Sequence, residues 1–189
     1  TQLIARRVRE AGVYCEILPF NASIENILSK NPRGIILSGS PASVYNQDAP
    51  RPDPHLLANL ECPVLGICYG LQVLAADLGG EVRPSQSREY GYARLKILDQ
   101  SSPLFSGLPD EIDVWMSHGD HVTVPPPGFN ITASTDDALN ALESLSKRIY
   151  GVQFHPEVAH TPLGAQVLRN FLIRVCGCRG DWSPLAIIE

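Results

Sequence analysis

The sequence predicts an α/β fold with an open, mixed and mainly parallel sheet flanked by helices on both faces. Three observations predict it. The first half alternates short apolar runs with helix-period segments, the pattern of strand–helix–strand crossovers in a parallel sheet. The second half is a series of strand-like runs separated by turn residues, which adds antiparallel and mixed strands to that core. The chain has 189 residues, 44% hydrophobic and 19% charged, which suits one domain with a full core.

Each element has its own signal. "TQLIARRVREAG" reads as a helix with Leu3, Ile4 and Val8 on one side. "VYCEILP" alternates like a strand. "SIENILSKN" is a short amphipathic helix with Ser23 as its N-cap. "RGIILSGSP" is a buried strand running into a Gly/Ser/Pro turn, and "HLLANLE" is a helix after a Pro-rich loop. "PVLGIC" is the next buried strand, followed by the helix "YGLQVLAADLGG", which ends on Gly79 and Gly80. Five strand-like segments follow, the last in "RIYGVQFHPE", and "PLGAQVLRNFLIRVCG" is a closing amphipathic helix. The tail "CRGDWSPLAIIE" shows no core role.

Charge and composition exclude several classes. The net charge is −5, with no basic block to hold nucleic acid. No apolar run is long enough to cross a bilayer. Five cysteines fit no disulfide framework and suit a reducing, cytoplasmic setting.

The chemistry centres on "PVLGICYGLQ". An apolar run ends in Cys68, with Gly66 and Gly70 on either side, and helical spacing starts at once. This is the pattern of a nucleophile elbow: the glycines let strand and helix approach closely, and the thiol projects at a helix N-terminus, where the dipole favours thiolate. A buried structural cysteine is the competing reading of the stretch alone. A thiol nucleophile needs a base, and the base an orienting group. "GVQFHPE" offers both: His155 follows a strand-like run, and Glu157 lies two residues on, on the same side of an extended segment. The N–H of Tyr69, next after the nucleophile, is a natural oxyanion donor, and the turn "LSGSP" at a neighbouring strand end offers a second. "WMSHGDH" carries His118, Asp120 and His121, too few ligands for a catalytic zinc site, so it reads as a loop giving polar groups to a pocket. "CGC" reads as two structural thiols, and His55 as a solvated loop residue.

"GICYGLQ" together with "GVQFHPE" resembles the class I glutamine amidotransferases, and the resemblance covers nearly the whole chain. It implies the flavodoxin-like form of the α/β sheet. It implies Cys68 as nucleophile, His155 as general base and acid, and Glu157 as its orienting residue. It implies oxyanion donors at Ser40, where the family usually has glycine, and at Tyr69. It implies Gln72, Ser117, His118 and Gly119 as the residues that hold substrate, and no metal. "SREYGYA", "DVWMSHGD" and "WSPLAII" resemble the branch coupled to an ATP-pyrophosphatase synthetase domain or subunit.

That branch implies L-glutamine as substrate and ammonia passed to an adenylated nucleotide. It implies no cofactor in this domain, with ATP and Mg used by the synthetase domain. Residues 1–177 would be the amidotransferase domain and 178–189 the start of a linker. The resemblance also places a buried strand ahead of Thr1, beside "GIILSGSP" and "PVLGIC". It puts Arg88, Glu89, Asp120 and His121 on the face toward the synthetase. Two other classes stay open: a cysteine hydrolase acting on γ-glutamyl peptides, and a non-catalytic regulatory module.

Overall fold

The computed structural model describes residues 1–136 and 138–184, the side chains of 85–89 excepted. The elements are α1 (Gln2–Glu10), α2 (Ile24–Ser29), β1 (Ile35–Leu37), α3 (Leu56–Asn59), β2 (Val64–Ile67) and α4 (Tyr69–Asp77). Then come β3 (Glu81–Ile97), β4 (Glu111–Val124), β5 (Asn130–Ser134), β6 (Leu139–Ser144), β7 (Ile149–Val152) and α5 (Gly164–Asn170), which runs on as a π-helical turn, Phe171–Val175. The seven strands form one sheet in the order β1-β2-β7-β6-β5-β3-β4. The pairs β1–β2 and β2–β7 are parallel, and the remaining pairs are antiparallel. The open mixed α/β sheet expected from the sequence is present, and β2 at the centre of its parallel part carries the elbow.

Strand alternation decides which helix covers which face. In β2, Leu65 and Ile67 join the core cluster of α1 and α5, with Ile4, Val8, Val167 and Phe171. Val64 joins the cluster on the α4 side, with Leu74 and Ile149. The remaining position of β2 on the α4 side is Gly66. A Cβ there would lie 2.6 Å from the Gly70 carbonyl carbon and the Leu71 nitrogen. Gly151 of β7 meets the Leu71 side chain in the same way, and a Cβ on Gly70 would overlap the Leu37 carbonyl. Glycines on both sides of the contact thus let α4 sit directly on the sheet. Beyond α4, Gly79 takes φ +88°, a left-handed conformation that suits glycine at a helix end. At the start of α2 the Ser23 hydroxyl accepts from the Asn26 N–H at 3.3 Å, the expected cap.

One expected strand does not form. Residues 13–19 are extended in pattern but belong to no sheet. They run along the outer side of β1, across a groove of about 910 Å³ lined by Val8, Cys15, Ile17, Ile36 and Phe171 among others. Alternation predicts which side chains face the core, whereas a strand also needs a neighbouring backbone within hydrogen-bond reach. β1 is the end strand on this side, and the groove separates it from residues 13–19.

The tail has a packing role that its composition did not reveal. The Trp182 N–H donates to the Gly12 carbonyl at 2.8 Å, and its ring lies 5.8 Å from Tyr14. The last part of "WSPLAII", from Leu185 on, lies outside the described residues. Among the described residues no helix is long and apolar enough to cross a membrane.

Candidate active site

Cys68 sits between β2 and α4 with φ +53° and ψ −108°, a conformation sparsely populated by non-glycine residues. Its N–H donates to the Val152 carbonyl at 2.8 Å, so the sheet ladder continues one residue past β2 before the chain turns. The backbone is held at both ends, by this bond and by Gly66 and Gly70, and the strained turn puts the side chain at the start of α4. Tyr69 opens that helix, and first-turn N–H groups have no intrahelical acceptor. The Tyr69 side chain is turned away from the thiol, its hydroxyl donating to the Pro50 carbonyl at 2.9 Å.

The His155 loop follows β7, the parallel neighbour of β2. His155 Nδ1 lies 2.8 Å from Glu157 Oε1. The sequence predicted this pairing from strand alternation, and the structure makes it differently. β7 ends at Val152, and Pro156 and Glu157 form a turn that folds the carboxylate back under the ring. The loop is tied down on three sides. The His155 N–H donates to the Trp115 carbonyl at 3.1 Å, the Thr161 hydroxyl donates to the His155 carbonyl at 2.7 Å, and Arg7 Nε donates to the Glu157 carbonyl at 3.0 Å. Gly39 marks how close the two halves come: a Cβ there would stand 3.2 Å from His155 Cε1 and 3.6 Å from Cys68 Cβ.

Electrostatics follow from this geometry. Burial alone would lower the His155 pKa, but hydrogen bonding and charge from Cys68 and Glu157 outweigh it and raise the value to about 10. An imidazolium beside the sulfur in turn favours thiolate. The other four thiols differ. Burial pushes Cys15, Cys62 and Cys178 up, and Cys176 up to about 12.

In front of Cys68 lies a cavity of about 440 Å³, bordered by Ser40, Gln72, Ser117, His118, Gly119 and Asp120. The residues that the resemblance assigned to substrate therefore share one space with the thiol. Gln72 is almost fully buried, and its Nε2 donates to the Asp120 carbonyl at 2.7 Å. The Ser117 carbonyl is 3.8 Å from Cys68 Sγ. Ser40 uses its hydroxyl to accept the Ala42 N–H at 3.2 Å, which shapes the turn after β1. His118 is buried, and desolvation followed by repulsion from His121 lowers its pKa to about 4, so the ring is neutral at pH 7. Asp120 and His121 each keep a buried polar atom, Oδ2 and Nδ1, so they are less outward-facing than a docking role requires. The side chains of Arg88 and Glu89 lie outside the described residues.

Two groups at the site escaped the sequence reading. Arg7, on the first helix, reads as a surface charge until the fold brings it to Glu157. Gln153, in the middle of "GVQFHPE", reads as one more position in an apolar strand, yet it is fully buried and contacts Cys68.

A thiol at a strained strand–helix turn, a carboxylate-oriented histidine beside it, and a polar cavity in front define a cysteine-dependent amide-hydrolase site on an α/β sheet. The model of the class I glutamine amidotransferase family matches residues 1–175, and the chain belongs to that family. It is 52% identical over 189 residues to the GMP synthase [glutamine-hydrolyzing] of Caldicellulosiruptor saccharolyticus, and 54% identical over 183 residues to that of Syntrophomonas wolfei. These alignments cover 100% and 96% of this chain, and the chain spans only 37% and 36% of those relatives' lengths. Among solved structures, a GMP synthase component of Thermoplasma acidophilum superposes with a TM-score of 0.80 at 31% identity, over 93% of this chain and 87% of that one. A glutamine amidotransferase of Thermotoga maritima shares the fold, with a TM-score of 0.74 at 20% identity over 92% of this chain and 91% of that one.

Proposed function

We propose that this chain is the glutaminase part of a GMP synthase. In this reading Cys68 Sγ attacks the side-chain amide carbon of L-glutamine. The oxyanion is held by the backbone N–H groups of Ser40 and Tyr69. The His155 proton passes to the amide nitrogen, the C–N bond breaks, and ammonia leaves a glutamyl thioester on Cys68. Water, deprotonated by His155, attacks the thioester, and glutamate departs as the sulfur recovers its charge. Glu157 holds the His155 ring in register throughout. Gln72 and the Ser117–Gly119 segment hold the substrate in the cavity. No cofactor takes part in these steps.

Ammonia would then pass to adenylated xanthosine monophosphate on an ATP-pyrophosphatase synthetase domain or subunit, which uses ATP and Mg to make GMP. Ammonia is protonated in bulk water near neutral pH, so a route sheltered from solvent suits this transfer.

The observation that carries the reading is the Cys68–His155–Glu157 arrangement, with Gly39 wedged against both Cys68 and His155. The test is glutamine-dependent ammonia release by the protein assayed together with its synthetase part, comparing wild type with Cys68→Ala. Loss of release in Cys68→Ala, with activity from added ammonia retained, is the expected result. Full glutamine-dependent release by Cys68→Ala would overturn the reading.

A further inference from the structure

Gln153 is the first residue after β7, and its relative exposure is 0%. A buried carboxamide destabilises a core unless its polar atoms find partners. This one faces two residues of the candidate site. Gln72 Nε2 lies 3.4 Å from Gln153 Oε1, and Gln153 Nε2 lies 3.6 Å from Cys68 Sγ.

The network fixes which way the amide points. Gln72 Nε2 already donates to the Asp120 carbonyl, so the group that reaches Gln153 is a donor and must meet an oxygen. The Gln153 oxygen therefore faces Gln72, and its N–H faces the sulfur. The main chain is equally constrained. The Gln153 N–H donates to the Asn140 carbonyl at 2.8 Å, and the carbonyl of the preceding Val152 accepts from the Cys68 N–H at 2.8 Å. The amide and the thiol are thus carried by adjacent strands in fixed register.

The sulfur has two polar neighbours of opposite kind. The Ser117 carbonyl, 3.8 Å away, can only accept, so it suits a thiol S–H. The Gln153 N–H can only donate, so it suits a sulfur carrying negative charge. A thiolate beside Ser117 without a donor would face a carbonyl oxygen alone.

We propose that Gln153 is a positioning residue for the Cys68 nucleophile: its side-chain N–H holds the thiolate and keeps it turned from the Ser117 carbonyl, while its oxygen holds Gln72 at the cavity wall. The inference rests on Cys68 being the nucleophile, and the experiment separates the two claims.

The readout is the rate of Cys68 alkylation by iodoacetamide between pH 5 and 10, followed by peptide mapping on the protein with its synthetase part. Gln153→Met keeps volume and removes the donor. Its alkylation profile should move up by about one pH unit, with about tenfold slower labelling at pH 7. Gln153→Glu keeps the shape and faces the sulfur with a carboxylate, and should move the profile further in the same direction. A profile for folded Gln153→Met that superposes on wild type overturns the inference and leaves the assignment of Cys68 intact. Wild-type protein whose Cys68 resists labelling while other cysteines react overturns the assignment itself. If Gln153→Met does not fold, Gln153→Asn, which withdraws the amide by one methylene, decides by the same profile. Failure of both variants to fold would assign Gln153 a structural role alone and overturn the inference.

Discussion

The amide of Cys68 donates to the carbonyl of Val152 at 2.8 Å, and this contact joins the two segments of the candidate site. Val152 ends β7, and His155 lies three residues beyond it. The parallel register of β2 and β7, with Ile67 opposite Val152, therefore sets where the thiol meets the imidazole. The active-site geometry is a consequence of strand pairing, tightened by the glycines that let α4 down onto the sheet.

The glycine contacts predict a stability loss that reaches the chemistry. Gly66→Ala puts a methyl 2.6 Å from the backbone of Gly70 and Leu71, which cannot yield as a side-chain tip would. Denaturant unfolding should show a loss of about 1–3 kcal/mol, together with slower Cys68 alkylation. Unchanged stability in Gly66→Ala would mean that α4 is not held against the sheet at this point.

The two halves of the His155–Glu157 pair should differ in their effect. His155→Ala removes the proton carrier and should lower glutamine-dependent turnover by about 10²–10⁴-fold. Glu157→Gln keeps a hydrogen-bonding group under the ring and should lower it less. Near-normal turnover in His155→Ala would transfer the role of base to another residue.

Much of this site was legible in the sequence, for a physical reason. The elbow is a local device: glycines flanking a cysteine at a strand-to-helix change carry the information within five residues. The pairing of His155 with Glu157 was legible too, although the structure reaches it through a turn rather than along a strand. The strand expected at residues 13–19 failed because alternation reports burial, and pairing depends on a neighbour elsewhere in the chain. Gln153 was hidden for a related reason. Its importance comes from Gln72 and Cys68, which are remote in sequence, and a lone glutamine in an apolar run carries no signal of them.

Thiol reactivity should be confined to one residue. Burial raises the pKa of Cys15, Cys62, Cys176 and Cys178, and Cys68 stands beside a raised His155. One equivalent of iodoacetamide at pH 7 should label Cys68 first. Labelling spread over the other four would contradict the assigned electrostatics.

His118 predicts a specific acid sensitivity. Its pKa falls from an unfolded value near 6.5 to about 4 in the fold, through burial and then through His121, with a smaller contribution from His155, while Asp120 opposes the fall. The unfolded chain therefore binds the extra proton first, and stability declines as pH drops from 6.5 to 4. This group alone should remove about 3 kcal/mol across that window, judged from the fall to about 4. His118→Asn should lose correspondingly less between pH 7 and pH 4 than wild type. Parallel stability curves for the two proteins would show that His118 does not titrate as its surroundings imply.

The most direct test of the central claim is peptide mapping after treatment with a glutamine-like electrophile that traps the attacking nucleophile. The account predicts a single adduct on Cys68, blocked by excess L-glutamine and absent from Cys68→Ala. An adduct on any other residue, or labelling of Cys68 that L-glutamine does not protect against, would contradict it.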